Sequence, residues 1–479
     1  MPSSTITTLS GNQQPLSEAR IADLEASLQG ALLRPGERRY ESARIVWNAM
    51  IDRRPALIAR CEDAQDVVAA VRFARETGAL ISVKGGGHNI AGSAVVEGGL
   101  MIDLSAMNGV AVDAAAARVR VGPGATLAEL DAATAAHGLV VPTGINSTTG
   151  IAGLTLGGGF GWLTRALGLT IDSLVSAEVV TADGRILRAS AEEHPDLFWA
   201  LRGGGGNFGI VTEFEFRTHE AGPDLLSGLI VLPFDRAAEA LRLFQATVET
   251  APDALTVWAV LRKAPPLPFL PEAVHGKYVV FLAVCYAGDP AAGARALEPL
   301  KSIADPIAVA VGVQPFTAWQ QAFDPLLTPG ARNYWKSHDI PRLDDAAVAT
   351  IIDHAGRQPS DETEVFLGHV AGAAARVGAT ETAFPNREPH FVMNLHTRWR
   401  DPAQDAACIA WARDFFEEMR PHSSGVYVNF MPDDDAGRLA EAYGPNLARL
   451  AEVKAAYDPG NLFRRNHNIA PAAPIHRAA

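Results

Sequence analysis

Cysteine is nearly absent. The chain has three, Cys61, Cys285 and Cys408, far apart and odd in number. That excludes a disulfide framework and a C-x-x-C metal site, and it fits a reducing, cytoplasmic setting. No apolar run is long enough to span a bilayer. The polar N-terminus, Met1 to Gln14, lacks the apolar core of a secretory signal. Positive charge is in deficit, with 41 Lys and Arg against 54 Asp and Glu and a formal net charge of −13. Such a balance argues against nucleic acid or an anionic membrane as the main partner. The G-x-S-x-G elbow, the P-loop and H-E-x-x-H are all missing, so a serine hydrolase, an NTPase and a zinc peptidase find no support and no metal is expected.

Glycine is plentiful, 43 residues in 479, and it clusters in three places. The first cluster is Val83 to Gly92, V-K-G-G-G-H-N-I-A-G. The apolar run Leu80 to Val83 before it reads as a strand end. A helix opened by Asp63 and closed near Gly78 precedes that strand. Three consecutive glycines let several backbone N–H groups converge, a nest suited to a pyrophosphate, with His88 at its edge. Read alone, the stretch is equally a tight turn with an exposed histidine. The second cluster lies in Val141 to Leu163, where seven glycines disfavour an ordinary helix or strand. It reads as backbone packed against a flat or charged ligand, or as an Ω-loop.

The third cluster is Arg202 to Gly209, R-G-G-G-G-N-F-G. Gly204, Gly206 and Gly209 satisfy G-x-G-x-x-G, but a dinucleotide-binding Rossmann loop follows a strand and opens a helix. Here a helix from His194 precedes and the alternating run Ile210 to Phe216 follows, so the Rossmann reading is rejected. Elsewhere, residues 1 to about 16 read as a loose tail, Val95 to Leu104 and Arg118 to Val121 as strands, and Thr126 to Glu129 as a capping box. Residues 171–187 read as two strands around the turn Asp183-Gly184. From about 224 to 425 the glycine clusters stop. Apolar strands there alternate in blocks with helices such as Ala237 to Thr250, the pattern of an α+β domain on an antiparallel sheet.

K-G-G-G-H-N at 84–89, the glycine run at 144–161, R-G-G-G-G-N-F-G at 202–209 and the ending Tyr457-Asp458-Pro459 with Asn461-Leu462-Phe463 together resemble the berberine-bridge-enzyme-like FAD-linked oxidases. These share the vanillyl-alcohol-oxidase, or PCMH-type, FAD-binding fold. The resemblance covers about the first 220 and last 55 residues. It implies an α+β protein of two domains: a FAD domain at 17–220 and 426–479, and an inserted substrate domain at 221–425 built on an antiparallel sheet covered by helices.

The resemblance further implies that His88 bonds covalently to the 8α-methyl of the flavin and that Gly85, Gly86 and Gly87 hold the pyrophosphate. Asn89, Asn146, Thr148, Thr149, Gly150, Gly153, Gly157, Gly158, Gly159, Phe160, Gly209, Ile210 and Val211 would line the cofactor, and Asn461 and Asn468 would touch it or cap a loop. Many members carry a cysteine where this chain has Asn146, so a second, cysteinyl link is not expected. Phe160 replaces a frequent tyrosine, Leu154 a histidine of doubly linked members, and Thr149 occupies the position associated with oxygen access.

Flavin oxidation needs a substrate C–H aimed at the flavin and a group that accepts the accompanying proton. Tyr427 and Asn429 match the family's Tyr-x-Asn and would share one face of a strand. Tyr427 would serve as a base if its pKa were lowered, and equally reads as a packing tyrosine. Asn394 and His396 share a face of the strand Phe391 to Trp399, and are candidates against a structural reading of the histidine. His369 and Tyr334 are weaker candidates. The expected reaction is oxidation of a small alcohol, amine or activated C–H compound, aromatic or heterocyclic. Reoxidation by O2 would give H2O2. The alternatives are a dehydrogenase with another acceptor and a non-catalytic flavin-binding protein. An oligomer is compatible with this reading.

Overall fold

Residues 57–103 show how the chain builds a binding edge. The strand Leu57–Arg60 leads into the helix Ala64–Thr77, and the chain returns as the strand Ile81–Lys84. Leu100–Asp103 then inserts between the two strands, parallel to both. Asp63 caps the helix by accepting from the N–H groups of Gln65 and Asp66, and Gly78 ends it in the left-handed conformation. Val67, Val71 and Ala74 bury its apolar face under the sheet. The first glycine cluster therefore emerges at a strand's C-terminal end, where α/β crossovers leave ligand crevices. The computed structural model describes residues 4–220, 222, 224–303 and 305–473.

The second sheet is antiparallel, with Ile186–Ser190, Leu174–Val180, Ile210–Arg217, Arg118–Val121 and Val110–Asp113 in that spatial order. The turn at Asp183-Gly184 joins the first two strands as expected. The third cluster sits between the helix Pro195–Leu201 and the strand Ile210–Arg217, in the order that rules out a Rossmann loop.

The largest sheet is antiparallel and has seven strands. The strand His390–Trp399 explains its two faces. Phe391, Met393, Leu395 and Trp399 pack with Phe244, Ile351 and Phe415 of the helices Ala237–Thr250, Asp345–Ala355 and Asp405–Met419. Val392 belongs instead to the aromatic cluster of Phe160, Trp258, Phe366 and Tyr427 on the opposite face. A period of two thus gives one face to helices and the other to the glycine loops. After residue 425 the chain returns to the second sheet, where the helix Leu447–Tyr457 packs on Pro195–Leu201.

Four expectations are corrected. Residues 4–16 are not a loose tail: Ser4–Thr7 and Gln13–Leu16 pair as a hairpin, and Ile6 and Leu16 are buried in the first core. The strand expected from Val95 begins only at Leu100, because the preceding Gly98-Gly99 turns the chain, Gly98 with φ +64°. The second glycine run contains a six-residue helix, Ile151–Leu156, with Gly153 inside it; Ile151 and Thr155 bury one side of it. Tyr427 and Asn429 lie on no strand, since Val428–Phe430 is a single helical turn. No helix among the described residues is long and apolar enough to cross a membrane.

Candidate active site

The three glycine clusters and the free face of the seven-stranded sheet enclose a cavity of about 360 Å³. Of the predicted residues, Gly85, Gly86, Gly87, His88, Asn89, Asn146, Thr149, Gly150, Gly153, Gly157, Phe160, Gly209, Ile210 and Val211 line it. So do Asn394, His396, Tyr427 and Asn429. Thr148, Gly158 and Gly159 do not line it. Asn461 and Asn468 are not on it: Arg465, Asn466 and His467, between them in sequence, take that place. Asn461 instead adopts φ +50° in the turn after Asp458.

The fit to a dinucleotide is seen in what the cavity leaves unpaired. The backbone N–H groups of Gly85, Gly86, Gly87, His88 and Asn89 donate to no other described residue. Around the same cavity Trp335 Nε1, Asn394 Oδ1, His396 Nε2, Arg465 Nε, Asn466 Oδ1 and His467 Nε2 are buried without a hydrogen-bond partner. Buried polar groups are mostly paired in folded proteins. Unpaired ones occur elsewhere in this chain as well, but here they border the five free N–H groups, a set that fits a large ligand with phosphate and ring acceptors and donors.

His88 is held from two sides. Its ring stacks on Trp47, with centroids 5.2 Å apart and planes 22° apart, and Trp47 Nε1 donates to the carbonyl of Leu327 at 3.0 Å. His88 Nε2 is 3.0 Å from Thr148 Oγ1, and that hydroxyl donates to Asn146 Oδ1 at 2.8 Å. With the hydroxyl proton so engaged, Nε2 is the donor to Thr148, and Nδ1 is the unprotonated atom. Burial lowers the pKa of His88 to about 4, so the ring is neutral.

Tyr427 and Asn429, although not on a strand, are joined by the helical turn. Asn429 Nδ2 donates to Tyr427 Oη at 2.9 Å and lies 3.1 Å from the carbonyl of Leu154. The Gly159 N–H donates to the same phenol oxygen at 3.1 Å. A Cβ on Gly157 would lie 2.2 Å from Asn429 Oδ1, so the amide seats only against glycine. Burial pushes the Tyr427 pKa up to about 12, against the hydrogen bonds that lower it. The condition for a phenolate base is not met. Two donors reach the oxygen, so its own proton remains for a further acceptor.

His369 and Tyr334 lie outside the cavity. Arg165 donates to His369 Nδ1 at 2.7 Å, and the Tyr334 hydroxyl donates to Asp434 at 2.6 Å. Cys61, Cys285 and Cys408 are buried and unpaired. No group of metal-ligating side chains forms among the described residues. Trp47, Trp258, Trp335, Glu364, Phe366 and Phe430 also line the cavity and were not predicted. Trp47 sits in no motif, and the other five depend on strand register or loop packing that no local spacing announces.

A glycine-walled, polar-edged cavity closed by an aromatic sheet face is the site of a nucleotide-cofactor oxidoreductase rather than of a hydrolase or a structural module. Residues 55–190 match the FAD binding domain family and residues 426–470 the berberine and berberine-like family. The chain belongs to the berberine-bridge-enzyme-like FAD-linked oxidoreductases. It is 31% identical to the FAD-linked oxidoreductase YgaK of Bacillus subtilis, over 93% of this chain and 98% of that one. The crystal structure of 6-hydroxy-D-nicotine oxidase from Arthrobacter nicotinovorans superposes with a TM-score of 0.84 at 29% identity, covering 93% of this chain and 99% of the other. Glucooligosaccharide oxidase from Acremonium strictum, with its 6-S-cysteinyl, 8α-N1-histidyl FAD, shares the fold at 24% identity. Its TM-score is 0.85, covering 95% of this chain and 100% of that one.

Proposed function

We propose that the chain oxidises a small alcohol, amine or activated C–H compound of aromatic or heterocyclic character, with FAD joined by a single covalent bond to His88 and O2 as the final acceptor. The observation that carries this reading is the run of five unpaired N–H groups at Gly85 to Asn89, with His88 among them, in residues that line a cavity also lined by aromatic side chains. Those N–H groups would hold the pyrophosphate. His88 would carry the bond through Nδ1, since Nε2 is turned to Thr148. No cysteine lines the cavity, and Asn146 offers no thiol, so the cysteinyl link of the glucooligosaccharide oxidase has no counterpart.

The bound flavin supplies a two-electron acceptor. The chain's own residues do the rest: Phe160, Trp258, Trp335, Phe366 and Phe430 exclude water and orient a flat substrate, and Asn394 and His396 offer polar contacts from the sheet. The heterocycle named in 6-hydroxy-D-nicotine oxidase supports this substrate class. Two domains, 17–220 with 426–479 and the inserted 221–425, would then meet at the cavity, in a protein of a reducing, cytoplasmic compartment.

The test is acid denaturation of the purified protein and mass spectrometry of its peptides, followed by a panel of aromatic and heterocyclic alcohols and amines that includes 6-hydroxynicotine. Flavin on the His88 peptide alone, bleached by a panel member without oxygen and yielding peroxide with it, is the expected result. Flavin released into the supernatant removes the covalent bond. Bleaching without peroxide replaces the oxidase with a dehydrogenase. No bleaching by any panel member removes the substrate class.

A further inference from the structure

Arg262, Glu364, His396 and Trp335 stand directly opposite one another across four neighbouring strands of the large sheet. Residues so paired project to one face, and in this row the side chains meet. Arg262 Nη1 donates to Glu364 Oε2 at 2.6 Å. His396 Nδ1 lies 3.0 Å from Glu364 Oε1. The ring of Trp335 meets that of His396 edge-on, with centroids 4.5 Å apart.

The row settles which nitrogen carries the proton. Burial pushes the Glu364 pKa up, but Arg262 and His396 outweigh it and hold the group to about 2. The carboxylate is therefore charged and only accepts, so the facing Nδ1 is the donor. Burial lowers the pKa of His396; Glu364 opposes this, and the Arg398 and Arg262 guanidiniums add to it. Trp47, the other ring near it, is uncharged and separates it from the neutral His88. His396 is thus neutral, with its lone pair on Nε2. That atom is buried, has no hydrogen-bond partner, and belongs to the cavity wall beside Asn394. Tyr427, the other candidate base, is held in its protonated form.

We propose that Glu364, itself neutralised by Arg262, is a positioning residue that holds His396 in its Nδ1–H form, so that Nε2 takes the proton from the O–H or N–H of the substrate. The inference rests on the flavoprotein reading above. In the step, the substrate O–H or N–H bond breaks and its electron pair forms the C=O or C=N bond. The hydrogen of the neighbouring C–H would depart with the bonding electron pair, for which a bound flavin would be the acceptor. The proton goes to Nε2, where the imidazolium formed faces the Glu364 carboxylate. The substrate loses two electrons and two hydrogens and leaves as a carbonyl compound or imine.

The test uses the flavin-loaded protein labelled with 15N-histidine, in a long-range proton–nitrogen correlation at pH 7. The His396 signals are assigned by their loss in His396→Gln. A protonated Nδ1 and an unprotonated Nε2 are expected in the wild type, with a shift toward Nε2–H in Glu364→Leu. A second measurement titrates 4-nitrophenol, whose colour reports its ionisation. It should bind as the phenolate, and at least tenfold more weakly in Glu364→Leu. An Nε2–H or doubly protonated His396 in the wild type, an unchanged tautomer in Glu364→Leu, or 4-nitrophenol left unbound or bound as the neutral phenol overturns the proposal. The wild-type spectrum decides the tautomer even where the variant misfolds. Absence of flavin from the purified protein would instead sink the flavoprotein reading, a result separable from these.

Discussion

Gly86 and Gly150 meet backbone to backbone. A Cβ placed on either would lie 2.4 Å from the backbone nitrogen of the other. The first two glycine clusters, 64 residues apart in sequence, therefore close on the cavity only because neither residue has a side chain. Backbone cannot rotate out of the way as a flexible side chain can.

Gly150→Ala should for that reason separate the two loops. We expect a loss of stability of about 1–3 kcal/mol, the usual range for overpacking a tight site, and at least a tenfold fall in flavin retained on purification. The flavin-to-protein absorbance ratio and the thermal midpoint measure both. Full flavin content with an unchanged midpoint would show that the contact is not needed.

Thr148→Val removes the hydroxyl that links Asn146 to His88 Nε2. The tautomer of His88 is then unspecified. Total flavin should stay near the wild-type level, while the fraction that survives acid precipitation drops severalfold. Thr148→Ser should restore it. Equal covalent fractions in Thr148→Val and the wild type would remove the relay from the account of His88.

Lys454 and Asp458 form an ion pair, 2.6 Å apart, with both side chains fully buried. Lys454 Nζ also donates to the carbonyls of Asn207 and Phe463, and Asp458 accepts from the N–H groups of Leu462 and Phe463. The pair ties the third glycine cluster to the turn between Asp458 and Phe463. Lys454→Met strands a buried carboxylate and should cost about 3–5 kcal/mol, read as a shift in denaturant midpoint. A change below about 1 kcal/mol would contradict the pairing, since such a cost belongs to exposed pairs.

Two buried histidines away from the cavity set an acid limit on stability. Burial lowers His338 to about 4 and, with Arg165 adding to it, His369 to about 3, both from an ordinary 6.5. The folded state resists a proton that the unfolded chain accepts. Stability is full above pH 6.5 and falls as pH drops toward 4 and then 3, by on the order of 3 kcal/mol for each histidine at the low end. His369→Gln should flatten that slope. A midpoint constant from pH 7 to pH 4 would contradict the assignment.

The order strand, glycine loop, histidine was legible in Ile81 to His88, because a strand end and a glycine run are local features. So were the Asp63 cap, the Thr126 capping box and the helix-before, strand-after order that rules out a Rossmann loop at 202–209. Alternation along Phe391 to Trp399 is enough to put Asn394 and His396 on one face, since side chains alternate along any strand. The pattern failed at Ile151–Leu156, where a helix forms despite Gly153 because Ile151 and Thr155 bury one side of it. It failed also at Tyr427 and Asn429, which a helical turn rather than a strand brings together.

Local periodicity and motif order thus determined which segments form strands, loops and caps, and which family the chain joins. The partners of the chemical groups were decided only in three dimensions. Glu364 faces His396 because two strands pair in one register, and a slip of one residue would send every side chain to the other face. Trp47 stacks on His88, and Gly86 abuts Gly150, because the core packs them at van der Waals distance. Contacts of that kind depend on how distant segments are brought together, which no pattern of neighbouring residues records.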